Sequence, residues 1–97
     1  MVIISKSIIY YFCQNHATVV DSLNEWYIKS KSADWGNFSD LKNDFSSADF
    51  VGNDRYVFNI KGNRYRLVAM IHFSIRTIYI RFIGTHADYD KIDCSTI

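Results

Sequence analysis

Arg55-Tyr56-Val57-Phe58-Asn59-Ile60-Lys61-Gly62-Asn63-Arg64-Tyr65-Arg66-Leu67-Val68-Ala69-Met70-Ile71-His72 is the stretch whose reading decides the fold. Successive side chains of a β-strand point to opposite faces. From Arg55 onward the pattern alternates by two, with Tyr56, Phe58 and Ile60 on one side and Arg55, Val57, Asn59 and Lys61 on the other. Gly62 and Asn63 form a tight-turn signal. The returning strand, Asn63 to about Ser74, places Tyr65, Leu67, Ala69, Ile71 and Phe73 on one face and Arg64, Arg66, Val68, Met70 and His72 on the other. After a turn near Ile75 and Arg76, Thr77 to Ile83 predicts a third strand, with Ile78, Ile80 and Phe82 opposite Thr77, Tyr79 and Arg81, and Gly84 ends it.

Upstream the period is helical. Val2 to Ile4 is a β-branched run suited to a first strand, after which Ser5 or Ser7 can cap a helix that carries Ile8, Tyr11 and Phe12 on one side and ends near Gln14 to His16. Thr18 followed by Asp21 resembles a capping box, and Val19, Leu23, Trp26 and Tyr27 recur at helical spacing, predicting a second helix to about Ser32. Asp34 to Asn37 reads as a loop, and Ser39 can cap a short helix through Phe45 with Leu41 inward. Helices followed by three consecutive antiparallel strands predict an α+β fold in which the N-terminal helices pack on the apolar face of a mainly antiparallel sheet. Residues 1–97 are expected to form one domain.

The 97 residues provide for one core, and 48% apolar and 16% aromatic content disfavours both disorder and coiled coil. No apolar stretch approaches the ~20 residues of a membrane span. The run Ser7 to Cys13 follows a single Lys6 and leads into Gln14, Asn15 and His16, so it reads as structure rather than as a leader. Two cysteines, Cys13 and Cys94, are expected as free thiols, which suits a reducing cytoplasm. The net charge of +1 is divided: residues 1–54 carry a balance of −3 and residues 55–97 one of +4. Five of the seven C-terminal bases are Arg, whose planar fork suits phosphate, so a polyanion partner is expected beside the plainer reading of solvated strand faces.

Glycines at 36, 52, 62 and 84 make no phosphate loop, and neither an HExxH nor a CxxC pair is present to hold a metal. Neither cofactor nor metal is therefore expected. Polar groups gather instead in the strands and just beyond them: Lys61, Arg64, Arg66, Arg81, His86, Tyr89, Asp90 and Lys91. His86 and Tyr89 can exchange protons, and strand arginines can hold a phosphate and stabilise added transition-state charge. Together they describe metal-free phosphodiester cleavage. Singly, His86 also reads as a surface residue and Tyr89 as a packing residue. His16 and His72 read as structural, and Trp26, Tyr27 and Trp35 as core.

Val57 to Val68, with its FNIKGN segment, followed by Tyr79 to His86 and Tyr89-Asp90-Lys91, resembles the HigB family of toxins. Leu23 to Tyr27, Ala33-Asp34-Trp35 and Asp40-Leu41-Lys42 resemble it in order and spacing, so the resemblance covers almost the whole chain. It implies a small RelE-like α+β protein that cuts messenger RNA, typically on the translating ribosome, and that a helix-turn-helix antitoxin, HigA, neutralises. It implies Arg66 as the phosphate-binding strand arginine, with His86 and Tyr89 at the C-terminal acid/base and substrate-orienting positions. Lys61, Arg64, Arg81 and Lys91 would then hold backbone phosphates. The nearly balanced charge departs from the strongly basic character of many ribosome-dependent toxins. A noncatalytic RNA- or protein-binding module, or a degenerate toxin kept as an antitoxin partner, are the alternative readings.

Overall fold

A computed structural model describes residues 1–97. The stretch with period two folds as read, into the central strands of a five-stranded sheet. Its strands are β1 (Val2–Ile4), β2 (Asp49–Gly52), β3 (Arg55–Ile60), β4 (Tyr65–His72) and β5 (Thr77–Thr85), in the spatial order β1-β5-β4-β3-β2. Neighbours pair antiparallel except β1, which lies parallel to β5 with Ile3 opposite Ile78. The helices are α1 (Ser7–Asn15), α2 (Val20–Ser32), α3 (Phe38–Asp44) and α4 (His86–Tyr89).

The core lies between the first three helices and one sheet face. Ile9, Val19, Leu23, Trp26, Trp35 and Leu41 meet Tyr56, Phe58, Ile60, Leu67, Ala69, Ile71, Ile78, Ile80 and Ile83. Phe58 is its centre: Trp26 meets the ring edge-on at a centroid distance of 5.4 Å and Phe45 at 5.2 Å, while Trp35 meets Phe45 at 5.9 Å. Each such pair contributes about 0.5–1.5 kcal/mol beyond its buried area. Trp26 and Trp35 are thus core, as read, and Tyr27 packs at the core's margin.

Several local expectations are corrected. Neither Ser5 nor Ser7 caps α1; Lys6 stands at that position without a side-chain bond, and Ser5 instead takes a left-handed φ of 72°. Tyr11 faces solvent, and Ile9 takes the buried place. Thr18 and Asp21 form no capping box because Ala17–Val19 winds as a 3₁₀ turn that runs straight into α2. At α3 the cap is Asn37, whose side chain accepts the Asp40 N–H at 2.9 Å, so Ser39 falls inside the helix. The sheet gains β2, joined to β3 through Asn53 and Asp54, both with positive φ as primed hairpin turns demand. Lys61 is not a strand residue: it lies in the β3–β4 turn with φ 52°, beside Gly62 at 65°.

The largest correction concerns β5. Val68 pairs with Phe82 but Ala69 with Ile80, so Arg81 is an extra, unpaired residue, a β-bulge. The alternation reverses there. Ile83 joins the core and Phe82 turns to the other face, against the expectation that it would follow Ile78 and Ile80 inward.

Replacing the observed cap, Asn37→Ala, should cost about 1 kcal/mol of unfolding free energy, since it orphans a first-turn N–H. Ser39→Ala should be near neutral, and urea unfolding of the two variants side by side checks the difference.

Candidate active site

The outer face of the sheet, opposite the large helices, carries Arg66, and the segment that leaves β5 carries His86 and Tyr89. The ladder sets Asn59, Arg66 and Gly84 side by side on β3, β4 and β5. Beyond Gly84 the chain leaves the sheet at Thr85 and winds into α4, held by a true capping box: Thr85 Oγ1 accepts the Asp88 N–H at 3.2 Å, and Asp88 accepts the Thr85 N–H at 3.3 Å. His86 donates its N–H to the Arg64 carbonyl at 3.1 Å, which pins the start of α4 to the β3–β4 turn. His86 and Tyr89, three apart, then share one side of the helical turn.

Arg66 and Tyr89 meet directly. The guanidinium carbon stands 5.8 Å from the centre of the Tyr89 ring. Arg66 Nη1 donates to the Asn63 carbonyl at 3.1 Å and more weakly to Tyr65 at 3.5 Å, which leaves Nε and Nη2 without a partner in the protein and no carboxylate within 4 Å. The Tyr89 hydroxyl shares a hydrogen bond with Cys94 Sγ at 3.5 Å. Burial first, then that bond and the Cys94 and Asp49 charges, push the phenol up to about 12, against a smaller downward pull from Arg66. Near neutral pH Tyr89 is therefore a fixed neutral ring and a poor proton acceptor. His86 is exposed, with Nδ1 3.6 Å from Asp90 Oδ2, beyond hydrogen-bonding distance but close enough for charge attraction.

The other predicted residues are more scattered. Arg64 lies exposed in the turn beside His86, and Lys91 lies exposed just past α4. Arg81 is the exposed bulge residue. Lys61 turns toward the helices, where its ammonium donates to the Thr18 carbonyl at 2.9 Å. It lines a cleft of about 300 Å³ with Ser22, Glu25, Lys29 and Phe45, and none of the other predicted site residues lines that cleft. Of the remaining C-terminal bases, Arg76 is bound to Asp34 at 2.6 Å and Arg55 to the Ile97 carbonyl. Arg64, Arg66, Arg81 and Lys91 are left unpaired by any carboxylate. His72, read as structural, sits 3.8 Å from Asp54 and edge-on to Tyr79, and His16 stacks on Phe12 at 4.0 Å.

Three neighbours escaped the sequence reading. The Thr85-Ala87-Asp88 spacing carries a capping signal that could have revealed α4. Asn59 could have been found beside Arg66 once the hairpin register was set. Cys94 had no signal, because its contact with Tyr89 depends on the turns that follow the helix.

Of the four glycines, Gly84 is the one with least room for a side chain. A Cβ there would lie 2.5 Å from the Phe82 ring and 3.1 Å from the Asp88 Cβ, so only glycine lets Phe82 cover the strand next to Arg66.

Comparison with known proteins adds to this geometry. The family described as HigB_toxin, RelE-like toxic component of a toxin-antitoxin system, matches residues 19–92. The chain is 51% identical over 35 residues to the mRNA interferase toxin HigB of Escherichia coli (strain K12), 36% of this chain and 34% of that protein. The mRNA interferase HigB of Shigella flexneri matches to the same extent. The chain thus spans only about a third of the length of these relatives (34%) in alignment. Similarity to the mRNA interferase HigB of Escherichia coli O6:H1 is longer and lower, 29% over 73 residues, covering 73% of this chain and 71% of that protein.

The Tyr89 phenol makes a pH prediction. Below pH 10 it is protonated in folded and unfolded chains alike; between about 10 and 12 the unfolded chain loses the proton while the folded chain keeps it, so stability falls with rising pH across that window. The fall should be shallower in Tyr89→Phe than in the parent, as read from urea midpoints between those pH values.

Proposed function

We propose, from the premise that this chain belongs to the HigB family of RelE-like toxins, that it is the RNA-cleaving toxin of a type II toxin-antitoxin pair. Its substrate is messenger RNA on the translating ribosome, in the cytoplasm, and its partner a helix-turn-helix antitoxin of the HigA kind. The observation that carries the reading is Arg66: a strand guanidinium backed by the Tyr89 ring, unpaired by any carboxylate, on the same sheet end as the exposed His86.

In the proposed reaction the ribose 2′-OH attacks the adjacent phosphate, forming a 2′,3′-cyclic phosphate as the bond to the 5′-oxygen breaks. His86 moves the proton, as base on the 2′-OH or as acid on the leaving 5′-oxygen, since an imidazole has one ring nitrogen that can accept a proton and another that can donate one. Arg66 offers its unpartnered donors to the phosphorane oxygens as their charge grows. Tyr89, held neutral by its surroundings, orients Arg66 and presents a ring for an unstacked base, rather than sharing in proton transfer. Arg64, Arg81 and Lys91 meet flanking phosphates in a salt-sensitive, sequence-independent way. Lys61, drawn toward the 3₁₀ turn before α2, is assigned a lesser part.

Single-turnover cleavage of ribosome-bound mRNA, measured beside ribosome co-sedimentation, tests the assignment. Arg66→Ala should slow cleavage on the order of 10²-fold, as for loss of a preorganised oxyanion donor. His86→Gln should slow it by about 10² to 10⁴-fold, with binding changed less than tenfold. Wild-type cleavage by either variant removes that residue from the mechanism. Binding that collapses in step with cleavage favours the noncatalytic module.

A further inference from the structure

The segment that follows α4 touches the Tyr89 hydroxyl through Cys94. Past α4 the backbone turns at Asp93, whose Oδ1 accepts the Ser95 N–H at 3.1 Å and the Ser95 hydroxyl at 2.7 Å. It then runs back along the turn between β2 and β3, where two residues distant in sequence fasten it. Asn53 Nδ2 donates to the Ser95 carbonyl at 2.9 Å. Arg55 donates through Nε and Nη2 to the Ile97 carbonyl at 3.0 and 2.6 Å, and through Nη1 to the Asn53 carbonyl at 2.8 Å. Bonds with an ionised donor are the stronger kind, and Arg55 makes three of them to main-chain oxygens. Cys94 lies immediately before the fastened residues and supplies the Tyr89 hydroxyl with its partner.

We infer that Arg55 is a positioning residue for the proposed RNA-cleaving site: by holding residues 95–97 to the β2–β3 turn it keeps Cys94 at the Tyr89 hydroxyl and so sets the Tyr89 ring against Arg66. The inference rests on the reading of Arg66 and Tyr89 given above. Arg55 does not itself reach the reacting phosphate. It pairs with Met70, four positions along β4 from Arg66, a separation of about 13 Å at the rise of a strand. Its influence passes through the segment and the ring. Small misplacements are enough to matter, because a shift of about 1 Å at a reacting group can cost on the order of 10²-fold in rate.

The test compares the parent with Arg55→Ala, Arg55→Lys and Cys94→Ala, using mRNA labelled at its 5′ end and bound to ribosomes. Arg55→Ala should lower the saturated single-turnover rate on the order of 10- to 100-fold, while the half-saturating concentration changes little, the mark of a loss felt only in the transition state. Arg55→Lys keeps one cationic donor and should recover part of the rate. Cys94→Ala, which leaves both Arg55 bonds in place, should reproduce the loss. A second readout is independent of cleavage: NMR of tyrosine labelled at Cζ should show the Tyr89 phenol, which titrates at about 12 in the parent, moving toward 10 in Arg55→Ala and Cys94→Ala. Cleavage by Arg55→Ala at the parent rate overturns the inference, as does a loss of rate with the Tyr89 titration unmoved. If even the parent fails to cut RNA, the cleavage reading falls alone, and the NMR titration still decides whether Arg55 holds Tyr89. Should Arg55→Ala not fold, Arg55→Met, which retains the packing stem without the donors, carries the same two measurements.

Discussion

One unpaired residue in β5 sets the parity of everything that follows it. With Arg81 bulged out of the ladder, Ile80 and Ile83 both face the helices although they are three apart, and Phe82 and Gly84 both face outward. Strict alternation would have sent Ile83 outward and turned Gly84 toward the core. The apolar core and the outer site therefore depend on the same local irregularity. Because α4 begins right after β5, the bulge also decides from which face His86 and Tyr89 emerge.

The outer face is assembled from weak parts that reinforce one another. Val57 and Val68 are buried there, outside the main core, and α4 packs on β4 and β5. A four-residue helix has no stability of its own. It persists because its first turn is capped by Thr85 and Asp88, its start is bonded to the Arg64 carbonyl and its last residue is tied to Cys94. The arginine that would meet phosphate is thus framed by ordered backbone, which lowers the entropy lost when a charged ligand arrives.

Much of this was legible in the sequence, for definite reasons. The three central strands are long and regularly patterned, and α2 buries Leu23 and Trp26 at helical spacing, so the hydrophobic period alone revealed them. Arg66, His86 and Tyr89 stood out as chemical types near a strand end, and the fold brings Arg66 to Tyr89. What escaped has a common character. β2 is a four-residue edge strand with no buried side chain. The bulge leaves no compositional mark, since Arg81 fits an outward strand position as well as an extra one. The caps of the first three helices shifted by a residue or two, to Lys6, Val19 and Asn37, and of these only Asn37 supplies a side-chain acceptor. Cys94 and Arg55 act through contacts between distant segments, which no local pattern encodes.

The parallel pairing of β1 with β5 bears on when the protein can become whole. Val2 lies opposite Thr77, so this edge strand must wait for the 75 positions that separate the two before it has a partner. The hairpins among β2, β3, β4 and β5 close over short loops and are free to form earlier, while long-range closure is the slow, entropically costly event. During synthesis the nascent chain therefore carries β1 unpaired until β5 has emerged. The timing is built into topology: the residues proposed to handle RNA, from Lys61 to Lys91, are all made after β1 and after the helices α1, α2 and α3.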